Sequence, residues 1–139
     1  MNQVVVKQEK SGYQIVEAYK SLRTNLQFCG EDKKVIAITS CTPNEGKSSV
    51  SMQLGISLAE IGKRVILIDA DLRKSVLLGR TKTEKSVRGL AHFLSGQASL
   101  EDVICATNIK NFYMIYSGPF PPNPAELLGG KNFRSLLNA

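Results

Sequence analysis

The chain has 139 residues, of which 42% are apolar and 22% charged, as expected for a single globular domain. Its formal charge of +6 is dispersed, and no basic stripe is interleaved with aromatic residues, which argues against a nucleic-acid partner. No apolar run approaches the roughly 20 residues of a membrane-spanning helix, and the amino terminus does not resemble a secretory signal. We therefore expect a cytoplasmic protein. The three cysteines lack metal-ligand spacing, which favours reduced, partly buried thiols without a catalytic role.

The first predicted element is a helix over residues 12–29, because its apolar residues recur at spacings of three and four. This stripe consists of Ile15, Tyr19, Leu22, Leu26 and Cys29. The charged residues Glu17, Lys20 and Arg23 fall on the far side of the helix. Taken alone, they predict a solvated face with local ion pairs.

A phosphate-binding loop is predicted between an apolar strand over residues 34–39 and a following helix. At such a helix start, backbone N–H groups and the helix dipole favour an anion. Lys47 can reach the outer phosphates, the Ser48 hydroxyl can ligate Mg²⁺, and Gly46 lets the backbone curl. The predicted nucleotide-binding residues are Thr42, Pro43, Asn44, Glu45, Gly46, Lys47, Ser48 and Ser49.

A second buried strand is predicted over residues 65–68, after a helix that ends at the capping glycine Gly62. Strand, loop, helix and strand together predict a right-handed βαβ unit. Asp69 and Asp71 follow this strand, at the edge where parallel sheets place ligand chemistry. An extended backbone would put both carboxylates on one side, where they can hold Mg²⁺ and accept a proton. A solvated turn is the alternative interpretation.

The remaining elements complete an α/β domain. A basic loop is expected over residues 72–88, and the only histidine, His92, is interpreted as a packed side chain in a short helix. Another short helix is predicted over residues 100–105 and a third strand over residues 112–116. Asn123 and Pro124 start a last helix, which Gly129 and Gly130 weaken.

Three stretches in this order, residues 43–49, 66–73 and 121–128, resemble motifs of the bacterial tyrosine kinases that regulate capsular and exopolysaccharide synthesis. That family is a branch of the P-loop NTPases. The resemblance implies a three-layer P-loop NTPase-like fold, with a mostly parallel sheet flanked by helices. It also implies ATP and Mg²⁺ as cofactors, and transfer of the γ-phosphoryl group of ATP to tyrosine.

The resemblance assigns roles to five residues. Lys47 would hold the phosphates, Ser48 would ligate Mg²⁺, and Asp69 would be the catalytic carboxylate. Asp71 would assist the metal, and Arg73 falls on the arginine of the second motif. Catalysis is thus expected from Asp69, Lys47 and Arg73, and metal binding from Ser48, Asp69 and Asp71.

The resemblance also implies partners. Glu17, Lys20 and Arg23 match the family's Glu-x-x-Arg-x-x-Arg self-association motif, with Lys20 replacing one arginine. We therefore expect a homo-oligomer formed through residues 1–30, and a partial kinase domain over residues 31–139. A transmembrane activator is the expected partner, which would hold the protein peripherally at the membrane.

Two features of the family are not in this sequence: a further strand ending in the Walker B aspartate, and a carboxyl-terminal tyrosine cluster. We therefore expect a partial domain that is incomplete at the C-terminus, binds nucleotide weakly and has low kinase activity. Two other functions stay open. A septum-placing or DNA-partitioning ATPase would carry a signature lysine where this chain has Thr42. A non-catalytic nucleotide-binding regulator of polysaccharide chain length is the second.

Overall fold

The structure, a computed structural model, describes residues 1–6, 12–30, 32, 34–39, 47–71, 81–83, 88–118 and 122–138. The strands are β1 (Asn2–Val6), β2 (Val65–Ile68), β3 (Thr81–Thr83), β4 (Cys105–Thr107) and β5 (Phe112–Ile115). The helices are α1 (Tyr13–Phe28), α2 (Lys47–Glu60), α3 (Leu90–Leu94), α4 (Leu100–Val103), α5 (Pro124–Leu128) and α6 (Lys131–Asn138).

The described strands form one mixed sheet in the order β2-β5-β4-β1-β3. β2 pairs parallel with β5, and β1 parallel with β4, whereas the β4–β5 and β1–β3 pairs are antiparallel. The α/β class is confirmed, as are the predicted strands at β2 and β5. β1, β3 and β4 were not predicted from the sequence. In β1 the alternation of buried Val4 and Val6 with exposed Val5 is the signal that was available.

Apolar clusters lie on both faces of the sheet, as the alternation of strand side chains requires. In β5, Phe112 and Met114 face the cluster that contains α2, whereas Ile115 faces the cluster built by α3, α4 and α6. Gly55 lets α2 approach the sheet closely, because a Cβ at this position would come 2.7 Å from Cε1 of Phe112. The helices therefore cover both faces, as the α/β fold class predicts.

The predicted end of α2 at Gly62 is confirmed. Gly62 has a φ of +89°, which is the left-handed conformation that glycine adopts without strain. Its N–H donates to the carbonyl of Ala59 at 3.0 Å, and the Lys63 N–H donates to the carbonyl of Leu58 at 3.3 Å. These bonds satisfy the last carbonyls of the helix and turn the chain into β2.

The strand predicted over residues 34–39 is wrong: this segment is neither helix nor strand, and all six residues are exposed. The exposed fractions are 60% for Val35, 45% for Ile36 and 36% for Ile38. An apolar run indicates burial, but a strand also needs a neighbour to pair with. Within the described chain β2 pairs with β5 alone, so the predicted βαβ unit is not formed either.

α1 matches its predicted range, but a different face of it is packed. Ile15 and Leu22 of the predicted stripe are exposed, whereas Tyr19 and Leu26 are half-buried. Arg23 is also half-buried and reaches α2, where its Nη1 donates to the carbonyl of Ser57 at 3.0 Å. The prediction that Arg23 lies on the solvated side is therefore wrong, because its guanidinium finds acceptors on the neighbouring helix.

The carboxyl-terminal helix is divided in two, because α5 ends at Leu128 and α6 begins at Lys131, on either side of the two glycines. Asn123 is the N-cap residue, as predicted, although its amide donates to a carboxylate oxygen of Glu126 at 3.4 Å. The helix predicted over residues 100–105 ends at Val103. No helix in the described part of the chain is long and apolar enough to cross a membrane.

Candidate functional site

The predicted phosphate-binding loop leads into the first turn of α2. Residues 42–46 lie outside the described residues, and Lys47 and Ser48 are described in their backbone alone. Lys47 is the first residue of the helix, and Ser49 in the same turn is half-buried. The start of a 14-residue helix presents unpaired N–H groups and the positive end of its dipole, so it favours an anion.

Asp69 and Asp71 lie directly after β2 and are both half-buried. The Asp69 N–H donates to the carbonyl of Ile115 at 2.9 Å, which continues the pairing of β2 with β5. The Asp71 N–H then donates to Oδ1 of Asp69 at 3.1 Å. An Asx-type turn, and not the extended backbone assumed from the sequence, therefore sets the relative position of the two residues.

One cavity of about 800 Å³ joins α2 to this turn, because Ser51 lines it together with Asp69 and Asp71. Ser51 lies three and four residues after Ser48 and Lys47, which is the spacing of neighbours on one helix face. The turn of α2 that follows Lys47 and Ser48 thus borders the cavity. Residues 34–38 and α6 form the other walls.

The donor set suits a hard divalent cation. Carboxylate and hydroxyl oxygens are the ligands that Mg²⁺ prefers, and each ionised carboxylate has several acceptor positions. Within the described residues, Asp69 and Asp71 do not belong to a group of three or more His, Cys, Asp or Glu side chains able to hold a metal. Arg73, predicted beside them, lies outside the described residues.

A junction that the sequence analysis missed lies at the carboxyl end of β5, at the same edge of the sheet as Asp69. Tyr116 and Ser117 are buried there. Their carbonyls accept hydrogen bonds from Leu90 N–H at 2.6 Å and Ala91 N–H at 2.9 Å. These hydrogen bonds fix the first turn of α3 to the carboxyl end of β5.

Two glycines make this junction possible. A Cβ on Gly89 would clash with the amide nitrogen of Gly118 and would come 2.5 Å from its Cα. Gly118 itself has a φ of +78°. His92 completes the junction by accepting a hydrogen bond at Nδ1 from Gly89 N–H at 3.0 Å. The interpretation of His92 as a packed side chain is confirmed. Gly89, directly before α3, and Gly118, shortly after β5, were the sequence signal that could have indicated this close approach.

The three predicted self-association residues occupy two different environments. Nζ of Lys20 lies 3.6 Å from Oε1 of Glu17, and both side chains are about half exposed. This is the local ion pair expected from the sequence. Nη1 of Arg23 instead donates to the carbonyl and Oγ of Ser57, at 3.0 and 3.2 Å. Arg23 therefore joins α1 to α2 within one chain.

Two described groups with shifted pKa values lie away from this site. Burial raises the pKa of the Cys105 thiol, whose Sγ donates to the carbonyl of Val103. Hydrogen bonds from the Ser99 hydroxyl and N–H lower the pKa of Asp102, which caps α4. Cys29 and Cys105 are free thiols, but the expectation of partly buried thiols does not hold, because Cys29 is exposed and Cys105 is buried. Cys41 lies outside the described residues.

A family profile described as an AAA domain matches residues 33–122. The chain is 44% identical over 123 residues to the tyrosine-protein kinase CpsD of Streptococcus agalactiae, a match that covers 88% of this chain and 54% of the relative. It is 43% identical over 122 residues to the tyrosine-protein kinase YwqD of Bacillus subtilis, covering 86% and 51%.

The kinase domain of the Escherichia coli tyrosine kinase ETK superposes with a TM-score of 0.79 at 36% identity, over 88% of this chain and 49% of that one. The fold of this chain is thus similar to a tyrosine kinase domain. The chain spans about half the length of the curated relatives it matches.

Proposed function

Since the chain belongs to the AAA domain family, we propose that it is the nucleotide-binding part of an ATP-dependent protein-tyrosine kinase that regulates capsular or exopolysaccharide synthesis. The reaction would transfer the γ-phosphoryl group of ATP to tyrosine hydroxyls. The observation that carries the proposal is the cavity shared by Ser51 on α2 and by Asp69 and Asp71 after β2. The cavity lies between the start of a helix and two carboxylates. A Mg²⁺-bound triphosphate requires both, the helix start for its phosphates and the carboxylates for its metal.

Within this site the proposal assigns a role to each residue, and two roles to Asp69. Lys47 and the first N–H groups of α2 would bind the phosphates, with residues 42–46 and Ser49 beside them. Ser48, Asp69 and Asp71 would hold Mg²⁺, which neutralises charge on the phosphates when bound. Asp69 would accept the proton of the tyrosine hydroxyl, and its Asx-type bond to the Asp71 N–H supports a fixed orientation for this carboxylate. Arg73 would stabilise charge on the transferred group.

The proposal extends to assembly and location. The exposed pair of Glu17 and Lys20 on α1 is available to another subunit, so α1 would support a homo-oligomer. Arg23 would contribute indirectly, by holding α1 against α2. A membrane-bound activator of polysaccharide synthesis would be the partner that keeps the protein at the cytoplasmic face of the membrane. The division at residue 30 into a self-association segment and a nucleotide-binding part is proposed on the same basis.

The test is a titration of the 139-residue chain with a fluorescent ATP analogue and Mg²⁺, followed by assays of ATP hydrolysis and tyrosine phosphorylation on an added tyrosine-rich peptide. We expect weak binding that Lys47→Met reduces by roughly tenfold or more, because a charge-assisted contact to phosphate is lost. Lys110→Met is the matched control, since Lys110 is exposed and does not line the cavity.

Asp69→Asn, with Asp102→Asn as its control, separates the kinase from its alternatives. Phosphotyrosine that disappears in Asp69→Asn and persists in Asp102→Asn supports the kinase. ATP hydrolysis without phosphotyrosine would indicate the partitioning-type ATPase. Nucleotide binding without either reaction, in the chain and in a full-length relative assayed alongside, would indicate the non-catalytic regulator. Unchanged binding in Lys47→Met would exclude the phosphate-binding role of the α2 start.

A further inference from the structure

The start of α3 is capped by a histidine in a position that Glu or Gln commonly holds. Gly89 is the N-cap residue of this helix, and His92 is its third residue. Nδ1 of His92 accepts a hydrogen bond from the Gly89 N–H at 3.0 Å. In the usual capping box a Glu or Gln side chain at the third position accepts this bond. The cap of α3 therefore depends on an acceptor that histidine offers in one charge state alone.

The charge on the His92 ring decides whether the bond to Gly89 can form. A neutral imidazole has one donor and one acceptor nitrogen, so acceptance at Nδ1 places the proton on Nε2. A protonated imidazole has two donors and no acceptor. Its Nδ1–H would then meet the Gly89 N–H, donor against donor. Glu and Gln side chains keep an acceptor oxygen in either case, so histidine makes this cap conditional on pH.

The Gly89 N–H has no easy replacement for this acceptor. Gly89 is buried, and the backbone of Gly118 packs directly against it. A Cβ on Gly118 would come 3.1 Å from the Cα of Gly89 and 3.3 Å from Nδ1 of His92. This packing leaves little room for a water molecule beside the bond. A buried N–H that loses its partner destabilises the segment that carries it.

The charged residues around α3 balance one another. The elements packed against α3 are β5, α4, α5 and α6. Their charged residues, together with the one before α3, are all exposed, and acidic and basic ones are equal in number: Glu101, Asp102, Glu126, Arg88, Lys131 and Arg134. Two of them are engaged elsewhere, because Arg88 donates to the Gln97 carbonyl at 2.8 Å and Asp102 accepts from the Ser99 hydroxyl at 2.9 Å.

The tyrosines at β5, Tyr113 and Tyr116, bear no charge in the pH range where histidine titrates. The titratable groups on the neighbouring elements therefore bring no net charge toward the ring. The contact that distinguishes the neutral form of His92 from the protonated form is the bond to Gly89.

The turn that His92 caps also holds the end of β5. The N–H groups of Leu90 and Ala91 donate to the carbonyls of residues 116 and 117, at 2.6 and 2.9 Å. The preceding carbonyl, of Ile115, accepts from the Asp69 N–H at 2.9 Å. Loosening the first turn of α3 would therefore release the strand end that lies beside Asp69.

We propose that His92 is a pH-sensitive cap of α3. With the ring neutral, the bond at Nδ1 closes the first turn of α3 onto the end of β5. A proton taken from solvent onto Nδ1, within the range of about pH 5 to 8 where histidine changes charge, removes the bond. The unfolded chain has no such bond to lose, so the junction weakens as the pH falls. The proposal is independent of nucleotide chemistry.

The experiment follows hydrogen exchange of the 139-residue chain by NMR at about pH 8 and about pH 5, on either side of the range where histidine changes charge. After correction for the intrinsic exchange rates, we expect the protection of the Leu90 and Ala91 amides to fall by about fivefold or more, as for the loss of one hydrogen bond. Amides of β2 serve as the internal reference. Because His92 is the only histidine of the chain, its ring signals are unambiguous. At about pH 8 we expect the Nε2–H tautomer.

Two substitutions separate the cap from other effects of pH. His92→Gln keeps an acceptor throughout this pH range, so protection should stay high and the fall should disappear. His92→Ala has no acceptor, so protection should be low at both pH values. If His92→Ala does not fold, the comparison of His92→Gln with the wild-type chain still decides the test.

Three results would overturn the proposal. A fall of equal size in His92→Gln and in the wild-type chain would assign the pH dependence to carboxylates or to the terminal amine. Unchanged protection of both amides at about pH 5 would exclude a pH-sensitive cap at this position. A ring that carries its proton on Nδ1 at high pH would mean that Nδ1 does not accept from Gly89.

Discussion

The segment from residue 88 to residue 118 and the groove between residues 34–38 and β2 differ in how completely they cover their apolar side chains. In the first, Leu90, Val103 and Ile115 are 0% exposed. At the groove, Val35 and Ile66 are 60% and 47% exposed. The first region is well covered because α3, α4 and β5 are near one another along the chain and pack together with α6.

The groove differs because its two walls are joined through α2 and face a gap that the described chain does not fill. Asp69 and Asp71, which the sequence analysis predicted as Mg²⁺ ligands after β2, line this gap. Functional sites are commonly drawn from the less stable parts of a protein. We therefore expect the segment over residues 88–118 to contribute more to stability than the groove region, where the proposed binding residues lie.

The largest effect is expected from Gly89→Ala, in the segment over residues 88–118, which we call the closed region. The new Cβ would meet the backbone of Gly118 and lie 2.7 Å from the carbonyl carbon of Ser117, where no flexible side chain can move away. Overpacking against backbone of this kind costs about 3 kcal/mol. Urea unfolding followed by circular dichroism would measure the loss of unfolding free energy.

Gly12→Ala is the control for this substitution. Gly12 has a φ of −66° and, among the described residues, no atom within 4 Å of an added Cβ, so its replacement should change stability little. A loss in Gly89→Ala no larger than that in Gly12→Ala would contradict the close approach of α3 to β5. The contrast between the closed region and the groove would then lose its main support.

A smaller effect is expected from Arg23→Ala on α1, outside the closed region. Nη1 of Arg23 donates to two acceptors on Ser57 and so joins α1 to α2. Hydrogen bonds to a charged group contribute roughly 1.5–3 kcal/mol, and the half-exposed guanidinium places this pair near the lower value. Urea unfolding should show a loss of about 1.5 kcal/mol, with faster proteolysis of α1.

Lys20→Ala is the matched control, because Lys20 loses just an exposed ion pair to Glu17, which is worth less than about 1 kcal/mol. If Arg23 acts between subunits and not within one chain, Arg23→Ala would change the molecular mass in solution and leave the stability of the monomer as it was. Mass measured by light scattering alongside the unfolding curves distinguishes the two outcomes.

Local sequence signals predicted the elements that depend on local chemistry. Gly62 as a helix end, Asn123 as an N-cap, and β2 and β5 as apolar strands all follow from residues within a few positions. Long-range pairing was not predictable in the same way. β1 joins the sheet by pairing with residues about 100 positions away, and nothing in its own five residues specifies that register.

The position of Asp69 and Asp71 directly after a strand was predictable from the sequence, but the geometry of the turn that joins them was not. Asp69 follows β2, at the edge where parallel sheets place ligand chemistry. The Asx-type bond to Asp71, however, depends on a backbone turn that the alternation of side chains along a strand does not reveal. The exposed segment over residues 34–39 shows the same limit. Its apolar run indicates a buried strand, but whether it is buried depends on a neighbour on its other side.

The smallest effect is expected at high pH, from the buried thiol of Cys105 in the closed region. Burial raises the pKa of this thiol above its ordinary value of 9.0. The unfolded chain therefore loses this proton first, and the free energy of unfolding falls as the pH rises above about 9, by at most about 1.4 kcal/mol per pH unit. Below that pH the thiol is protonated in both states and contributes no pH dependence.

Urea unfolding across this range should show a fall in the wild-type chain that Cys105→Ala lacks. Cys29→Ala is the matched control, since it removes an exposed thiol in place of the buried one. An identical slope in Cys105→Ala and in the wild-type chain would mean that solvent reaches this thiol and that the closed region is less tightly packed than the burial of its side chains indicates.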